Sequence, residues 1–397
     1  MKTLYMKTDR RTKVLFLPKW YPNRNDSMLG LFVQRHAIAI SQYADVSVLF
    51  VVSEENAEQL YKVESNVNDG LTEIIIYIKK HQSNFGFLNT IINGYRYLTA
   101  HLAGWKILEQ TDNKPDISHV HILTRAGVMA LFFKLRYKVP FIITEHWSRY
   151  LAHHQDGYSG GLRKKLTEKV LRNAAGITTV STSLKEGMEA MGLHHSNWLT
   201  IPNVIDTKMF LRSELAQKKS VFRFSHISCF EEQSKNMSGI LRAAKKLKEQ
   251  GRSFELIMIG GGPDWEQTKQ YAAELELTDN IHFTGVLENQ DLVNEMNQCQ
   301  CSILFSHYET FAIVIPENLS LGIPVIATEV GGIPEVLPQE FGKLVPPKDE
   351  NALFEAMVFM MDHYQEYDAA AMRNYVEDNY SYEQVGKQFF DLYNSVL

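Results

Sequence analysis

Ser306-His307-Tyr308-Glu309-Thr310-Phe311-Ala312-Ile313-Val314-Ile315-Pro316-Glu317-Asn318-Leu319-Ser320-Leu321-Gly322-Ile323-Pro324-Val325-Ile326-Ala327-Thr328 is the stretch whose reading decides the fold. It reads as the end of a strand, a loop, a helix and the next strand. Cys301 to Ser306 is an apolar run of the kind that fills a strand buried on both faces. The helix is expected to begin between Ala312 and Pro316, because a first turn tolerates proline where its amides have no intrahelical partner. Gly322 suits the position just past a helix end, and Pro324 opens the following strand.

A loop of this type gathers free first-turn amides and a positive helix end at the carboxyl edge of a parallel sheet, where anions bind. Glu309 and Glu317 flank that end. Carboxylates repel phosphate but accept strong hydrogen bonds from neutral hydroxyls. A ligand with phosphate in the middle and a polyol at each end fits, and a nucleotide-sugar is such a ligand. The same residues would equally serve as a capping and a solvated glutamate on an ordinary crossover helix.

The pair, with seven residues between, resembles the Glu-x7-Glu signature of the retaining family-four (group-one) glycosyltransferases of GT-B fold. The likeness continues through Leu321 to Thr328 and through Gly331-Gly332-Ile333-Pro334-Glu335-Val336. It departs at Ala312, where the family usually has glycine. The resemblance implies an α/β architecture of two Rossmann-like domains with a cleft between them. An acceptor domain would span 1–205, a nucleotide-sugar donor domain 206–379, and residues 380–397 would return to the first domain as a helix.

The resemblance also implies roles. Glu309 would hold the sugar hydroxyls, Glu317 the ribose, and the main chain of Phe311, Ala312 and Ile313 the phosphates. Lys235, just before a helix expected over Met237 to Glu249, matches the family's diphosphate-gripping lysine. Gly30, between the strand Val14–Leu17 and a helix from about Leu31 to Tyr43, matches a glycine facing the donor phosphates. Val286 would meet the base through its main chain. His146, ending the strand Phe141–Trp147, would face sugar and acceptor, orienting an oxygen or shuttling a proton. An arginine often found in the family two turns before the lysine would fall near Cys229, which cannot grip an anion as a thiol. Attack from the side of the departing phosphate, without an enzyme nucleophile, is the family's usual proposal.

Composition bounds the rest. The chain has 397 residues, 45% hydrophobic and 22% charged, which predicts packed globular domains rather than disorder. No apolar run approaches the roughly 20 residues of a membrane span. Met1 to Lys13 is polar and basic, so it reads as a frayed leader rather than a signal peptide. Cys229, Cys299 and Cys301 have no metal-type spacing and suit a reducing compartment. The expected place is therefore the cytoplasm, with peripheral contact at the inner face of a membrane as an option. Residues 1–205 carry 25 Lys and Arg against 17 Asp and Glu, while residues 206–397 carry 16 against 29. A basic half could attract an anionic acceptor or membrane face, or the difference could be drift between domains. A short basic helix over Leu162–Arg172 fits either an ordinary surface or a membrane surface.

His119 and His121 share one face of a strand but lack a third ligand nearby in sequence, and no Asp-x-Asp occurs, so no metal site is expected. No cofactor is expected beyond the sugar nucleotide as substrate. The partners expected are that donor and a carbohydrate or lipid-linked acceptor, with no nucleic acid. Rival readings are an epimerase or phosphorylase on the same frame, a non-catalytic two-lobed sugar-binding protein, and a dinucleotide oxidoreductase. The last lacks the Gly-x-Gly-x-x-Gly turn.

Overall fold

Buried aliphatic runs ending in glycine- or proline-marked turns build two sheets, each flanked by helices. The computed structural model describes residues 10–68, 70–123, 125–151, 161–213 and 221–397. Most of the expected leader, and residues 214–220 shortly after the expected domain boundary, lie outside the described residues.

The first lobe runs β1 (Lys13–Pro18), α1 (Leu31–Ser41), β2 (Asp45–Glu54), β3 (Tyr61–Asn68), β4 (Leu71–Lys79), α2 (Gly86–Gln110), β5 (Ile117–His121), α3 (Arg125–Tyr137), β6 (Phe141–Glu145), α4 (Gly161–Asn173), β7 (Gly176–Thr179), α5 (Thr182–Ala190) and β8 (Trp198–Thr200). Its strands lie in the order β3-β4-β2-β1-β5-β6-β7-β8. All pair in parallel except β3 with β4. The sequence reading lacked β3. Lys62, Glu64 and Asn66 make one face of this edge strand polar, and on the other face Val63 and Val67 are exposed, so little burial marks it.

The second lobe runs β9 (Phe222–Cys229), α6 (Glu232–Lys235), α7 (Met237–Glu249), β10 (Phe254–Gly261), α8 (Trp265–Glu274), β11 (Ile281–Gly285), α9 (Asn289–Met296), β12 (Cys301–Leu304), α10 (Val314–Ser320), β13 (Val325–Thr328), α11 (Ile333–Val336), β14 (Gly342–Val345), α12 (Glu350–His363), α13 (Ala369–Tyr380) and α14 (Tyr382–Val396). The sheet order is β11-β10-β9-β12-β13-β14, all parallel. This is the doubly wound nucleotide-binding order, in which winding reverses between β9 and β12, as it does between β1 and β5 in the first lobe. Ligands of such sheets sit outside the strand carboxyl ends at the reversal.

The last helix belongs to the first lobe by packing. Val385, Phe389, Leu392 and Tyr393 are buried with Phe16 of β1, Tyr21 of the loop after it, and Val33 and Ile40 of α1. Two contacts tie the lobes near the cleft. Arg35 on α1 meets Glu317 on α10 at 2.8 Å. Glu335 on α11 accepts from the Thr182 and Ser183 amides at 2.7 and 2.9 Å, capping the first turn of α5 from the opposite lobe.

Candidate active site

The loop after β12 is held by its neighbours rather than by its own helix. Thr328 donates its hydroxyl to the Ser306 carbonyl at 2.6 Å. The Gly332 amide donates to the Glu309 carbonyl at 3.2 Å. Gly331 has φ +53°, and a β-carbon there would lie 1.9 Å from the Glu309 carbonyl oxygen. Glycine is needed at 331 both for its backbone angle and for this close approach. The loop turns at Ala312, whose φ is +60°. A methyl-bearing residue in that region carries a strain of about 1–2 kcal/mol. The departure from the family's glycine therefore falls where the backbone favours glycine.

Lys235 and Glu309 come together. The ammonium donates to Glu309 Oε1 at 2.5 Å, and Ser306 Oγ donates to the same oxygen at 3.0 Å. Burial pulls the Lys235 pKa down, but the Glu309 carboxylate outweighs it, so the net shift is upward and the lysine stays charged. Lys235 lies just before α7, as the sequence suggested, but not in an open loop. Residues 232–235 form the separate turn α6, and Asn236, at φ +51°, caps α7 by accepting from the Gly239 amide.

This pair lines a hollow of about 270 Å³ together with Phe311, Ala312, Ile313, Cys229 and, from the first lobe, Trp20, Phe32, His146 and Asn203. A second hollow of about 530 Å³ shares Phe32, Ile227, Ser228, Cys229 and Ile313 with it, and adds Val286, Glu288, Arg35, Glu317, Asp206 and Tyr382. The two share these walls at the carboxyl ends of β9 and β12. Lys235 and Glu309 thus lie in one and Glu317 and Val286 in the next.

Two of the expected site residues have structural partners of their own. Glu317 does not await hydroxyls alone: Arg35 occupies its Oε1, and both side chains are about nine-tenths buried. Burial raises the Glu317 carboxyl and Arg35 works against that rise. Gly30 does not line either hollow. It caps α1 with φ +67°, and a β-carbon there would lie 2.4 Å from the Trp20 carbonyl. It shapes the loop that carries Trp20.

On the first lobe, His146 Nε2 lies 3.1 Å from His121 Nδ1. His36, whose Nε2 meets the Pro202 carbonyl at 3.2 Å, completes a buried group in which one ring nitrogen of each histidine lies within 4.8 Å of the others. Of the His119–His121 pair, His121 belongs to this group and His119 does not; the companions of His121 come from α1 and from just past β6, far away in sequence. Burial first, then the His36 and His119 rings, hold His146 well below the usual imidazole pKa. His146 is a neutral hydrogen-bonding group there, not an imidazolium acid. Glu145 fixes the loop after β6 by accepting from the Leu123, His146 and Trp147 amides at 2.8, 3.0 and 2.9 Å.

The sequence reading missed Arg35, Asn203, Asp206 and Tyr382. Pro202-Asn203 is a turn signal that could have pointed to Asn203. Arg35 looked like one more polar residue on an amphipathic helix.

Similarity to known proteins agrees with this geometry. Residues 211–377 match the family model "Glycosyl transferases group 1", and residues 44–209 match "Glycosyltransferase Family 4". The chain belongs to the group-one glycosyltransferases. Among curated relatives, the N-acetyl-alpha-D-glucosaminyl L-malate synthase of Bacillus anthracis is 23% identical over 378 residues, covering 91% of this chain and 97% of that protein. Glycogen synthase of Mycobacterium tuberculosis is 22% identical over 362 residues, covering 88% and 86%. Among solved structures, sucrose-phosphate synthase from Thermosynechococcus elongatus superposes with a TM-score of 0.76 at 17% identity, covering 97% of this chain and 99% of that one. Anabaena HepE in complex with UDP gives 0.72 at 17%, covering 97% and 100%. The architecture of this glycosyltransferase is GT-B, and among its described helices none is long and apolar enough to cross a membrane.

Proposed function

We propose that this glycosyltransferase is retaining and metal-independent and moves a sugar from a nucleoside-diphosphate sugar to an acceptor hydroxyl in polysaccharide or glycolipid assembly. One observation carries the reading: the Lys235–Glu309 pair at the β9/β12 reversal, in a hollow that shares a wall with a second one holding Glu317 and Val286. The spacing suits a diphosphate with sugar on one side and nucleoside on the other. Solved HepE complexes with UDP and UDP-glucose favour such a donor.

In this reading the bond from the anomeric carbon to the diphosphate breaks, and the diphosphate keeps the electron pair. Lys235 and the amides of Phe311 to Ile313 meet that charge, with no cofactor beyond the donor. Glu309 then trades Lys235 for sugar hydroxyls, and its charge favours the oxocarbenium-like centre. The acceptor oxygen attacks from the same face and passes its proton to the departing phosphate. Neutral His146 orients the sugar or acceptor. Glu317 reaches the ribose beside Arg35. We place the enzyme in the cytoplasm, its first lobe resting on an anionic membrane face through the exposed Phe87, Leu88, Ile91 and Tyr95 of α2.

The test is a panel of nucleoside-diphosphate sugars, scored by release of the nucleoside diphosphate with and without EDTA, and by NMR of the product anomer. Turnover of one donor, unchanged by EDTA, with retained configuration supports the reading. Loss of activity in EDTA would overturn metal independence and direct attention to His36, His121 and His146. No release from any donor would sink the assignment.

A further inference from the structure

A third hollow, of about 590 Å³, lies in the first lobe and is lined by Lys19, Arg125, Arg149 and Arg163 with Trp147, Tyr97, Leu123 and Val170 among others. We infer that this hollow is the acceptor site, and that the acceptor carries an anionic group, a phosphate or carboxylate, held by these four cations. The inference rests on the transferase reading above.

Arg149 is the main support. It is 7% exposed. Its Nη2 donates to the Tyr150 hydroxyl at 2.9 Å, yet Nε and Nη1 have no hydrogen-bond partner among the described residues. A buried guanidinium with donors to spare is costly unless something anionic completes it. Lys19 adds a second cation, its Nζ 3.2 Å from the Trp147 ring centroid, with Arg149 Cζ 4.2 Å from the same ring. Arg125 and Arg163 stand exposed at the mouth. Among the described residues, the nearby carboxylate Glu145 already accepts three backbone amides. Four cations focused in one concave site select an anion.

Position supports the assignment. Trp147 of this hollow meets Trp20 of the Glu309 hollow edge to face, with centroids 5.5 Å apart. Lys19 and Trp20 are chain neighbours, as are His146 and Trp147. An acceptor anchored by its anion on Arg149 would pass a hydroxyl across the tryptophan pair toward the sugar beside His146. The same cations could take the phosphate of a soluble acceptor or of a lipid headgroup. The enclosed position of Arg149 fits a small group reaching in.

The experiment uses the full chain and the donor found in the panel, with paired acceptors: glycerol against glycerol 3-phosphate and glycerate, and erythritol against erythritol 4-phosphate. An anionic member should exceed its neutral partner by at least ten-fold in kcat/KM. The double variant Arg125→Gln/Arg163→Gln, at exposed positions that should not disturb folding, should cut that preference several-fold, mainly through KM. Arg149→Gln should remove about ten- to a hundred-fold, the scale of a charge-assisted contact, with partial recovery in Arg149→Lys. Inorganic phosphate should compete with the acceptor. Vesicles containing phosphatidylglycerol form a separate arm: competition there and not by phosphate would assign the cations to a headgroup. Donor turnover with equal use of neutral and anionic acceptors, indifferent to all three variants, overturns this inference and leaves the transferase reading standing. Absence of any donor turnover defeats the transferase reading instead.

Discussion

Removing one member of the Lys235–Glu309 pair tests the site most directly, because the two charges sit 2.5 Å apart with side chains only 16% and 11% exposed. At an effective dielectric of about 20, two unit charges at that distance attract by about 6–7 kcal/mol before desolvation is counted. Most of that gain is spent on burying the charges, so the pair contributes little net. Removing one partner is different, since it strands the other: about 3–5 kcal/mol is the usual loss. Glu309→Ala should therefore destabilise more than Lys235→Ala, because after the latter Ser306 Oγ still donates to the carboxylate. The double variant should be more stable than the sum of the two losses allows, by at least 1–2 kcal/mol of coupling. Transfer should fall by about 10²–10³ in Glu309→Ala, the scale of one lost transition-state contact. Nucleoside-diphosphate affinity should fall in Lys235→Ala. The assays are urea unfolding of the four proteins and calorimetry with the nucleoside diphosphate. Additive stabilities together with equal diphosphate affinity would refute both the pairing and its role.

Ala312→Gly should relieve the left-handed strain, but the flexible glycine gives back part of it; a gain of up to about 1 kcal/mol in urea unfolding is expected, and a loss would show the methyl group packs usefully. Cys229 is exposed and lines both cleft hollows, while burial above all pushes the Cys299 thiol up to about 12 and Cys301 higher. Iodoacetamide should label Cys229 alone by mass spectrometry, and nucleoside diphosphate should slow it; equal labelling with and without the ligand would place the diphosphate elsewhere. Lys19 is brought down to about 8, by burial first, then by Arg149, with Arg163 and Arg125 adding and Glu145 opposing. Its ammonium is lost as pH rises through that value, so KM for an anionic acceptor should climb between pH 7 and 9, and a flat profile would remove Lys19 from the acceptor site.

The fold was legible where burial writes a continuous pattern. β12 and β13 are buried along their whole length, so Cys301–Leu304 and Val325–Thr328 stand out as apolar runs. α7 spans Met237–Glu249 as expected, and α14, Tyr382–Val396, fills the return expected over 380–397. β3 was invisible because its partners lie on one side only and its side chains are largely solvated. The turn α6 was invisible for another reason. Four residues carry too little periodicity to be seen, and the cap on Asn236 depends on an αL angle that no pattern of polar residues announces.

The site was legible one lobe at a time. Glu309, Phe311, Ala312 and Ile313 are close in sequence, and the helix signals around them fixed their common edge. Lys235 joined them because parallel sheets place β9 and β12 side by side at the reversal, which follows from strand order alone. Contacts between lobes obey no such rule. Arg35 and Glu317 are 282 residues apart, on helices whose sequences each look complete. The pair exists because α1 and α10 both start at the carboxyl edges of their sheets, and those edges face each other. The geometry that makes a cleft also puts Arg35 against the carboxylate assigned to the ribose. A donor entering the Val286 hollow must share Glu317 with Arg35, so hydroxyls gained there are offset by a buried ion pair loosened. Arg35→Met would strand Glu317, and burial would then favour its neutral form. A neutral carboxyl both donates and accepts but binds hydroxyls more weakly than the carboxylate. Nucleoside affinity in that variant should therefore fall, and fall further as pH drops from 8 to 6, whereas the wild-type protein, with Arg35 in place, should vary less over the same range.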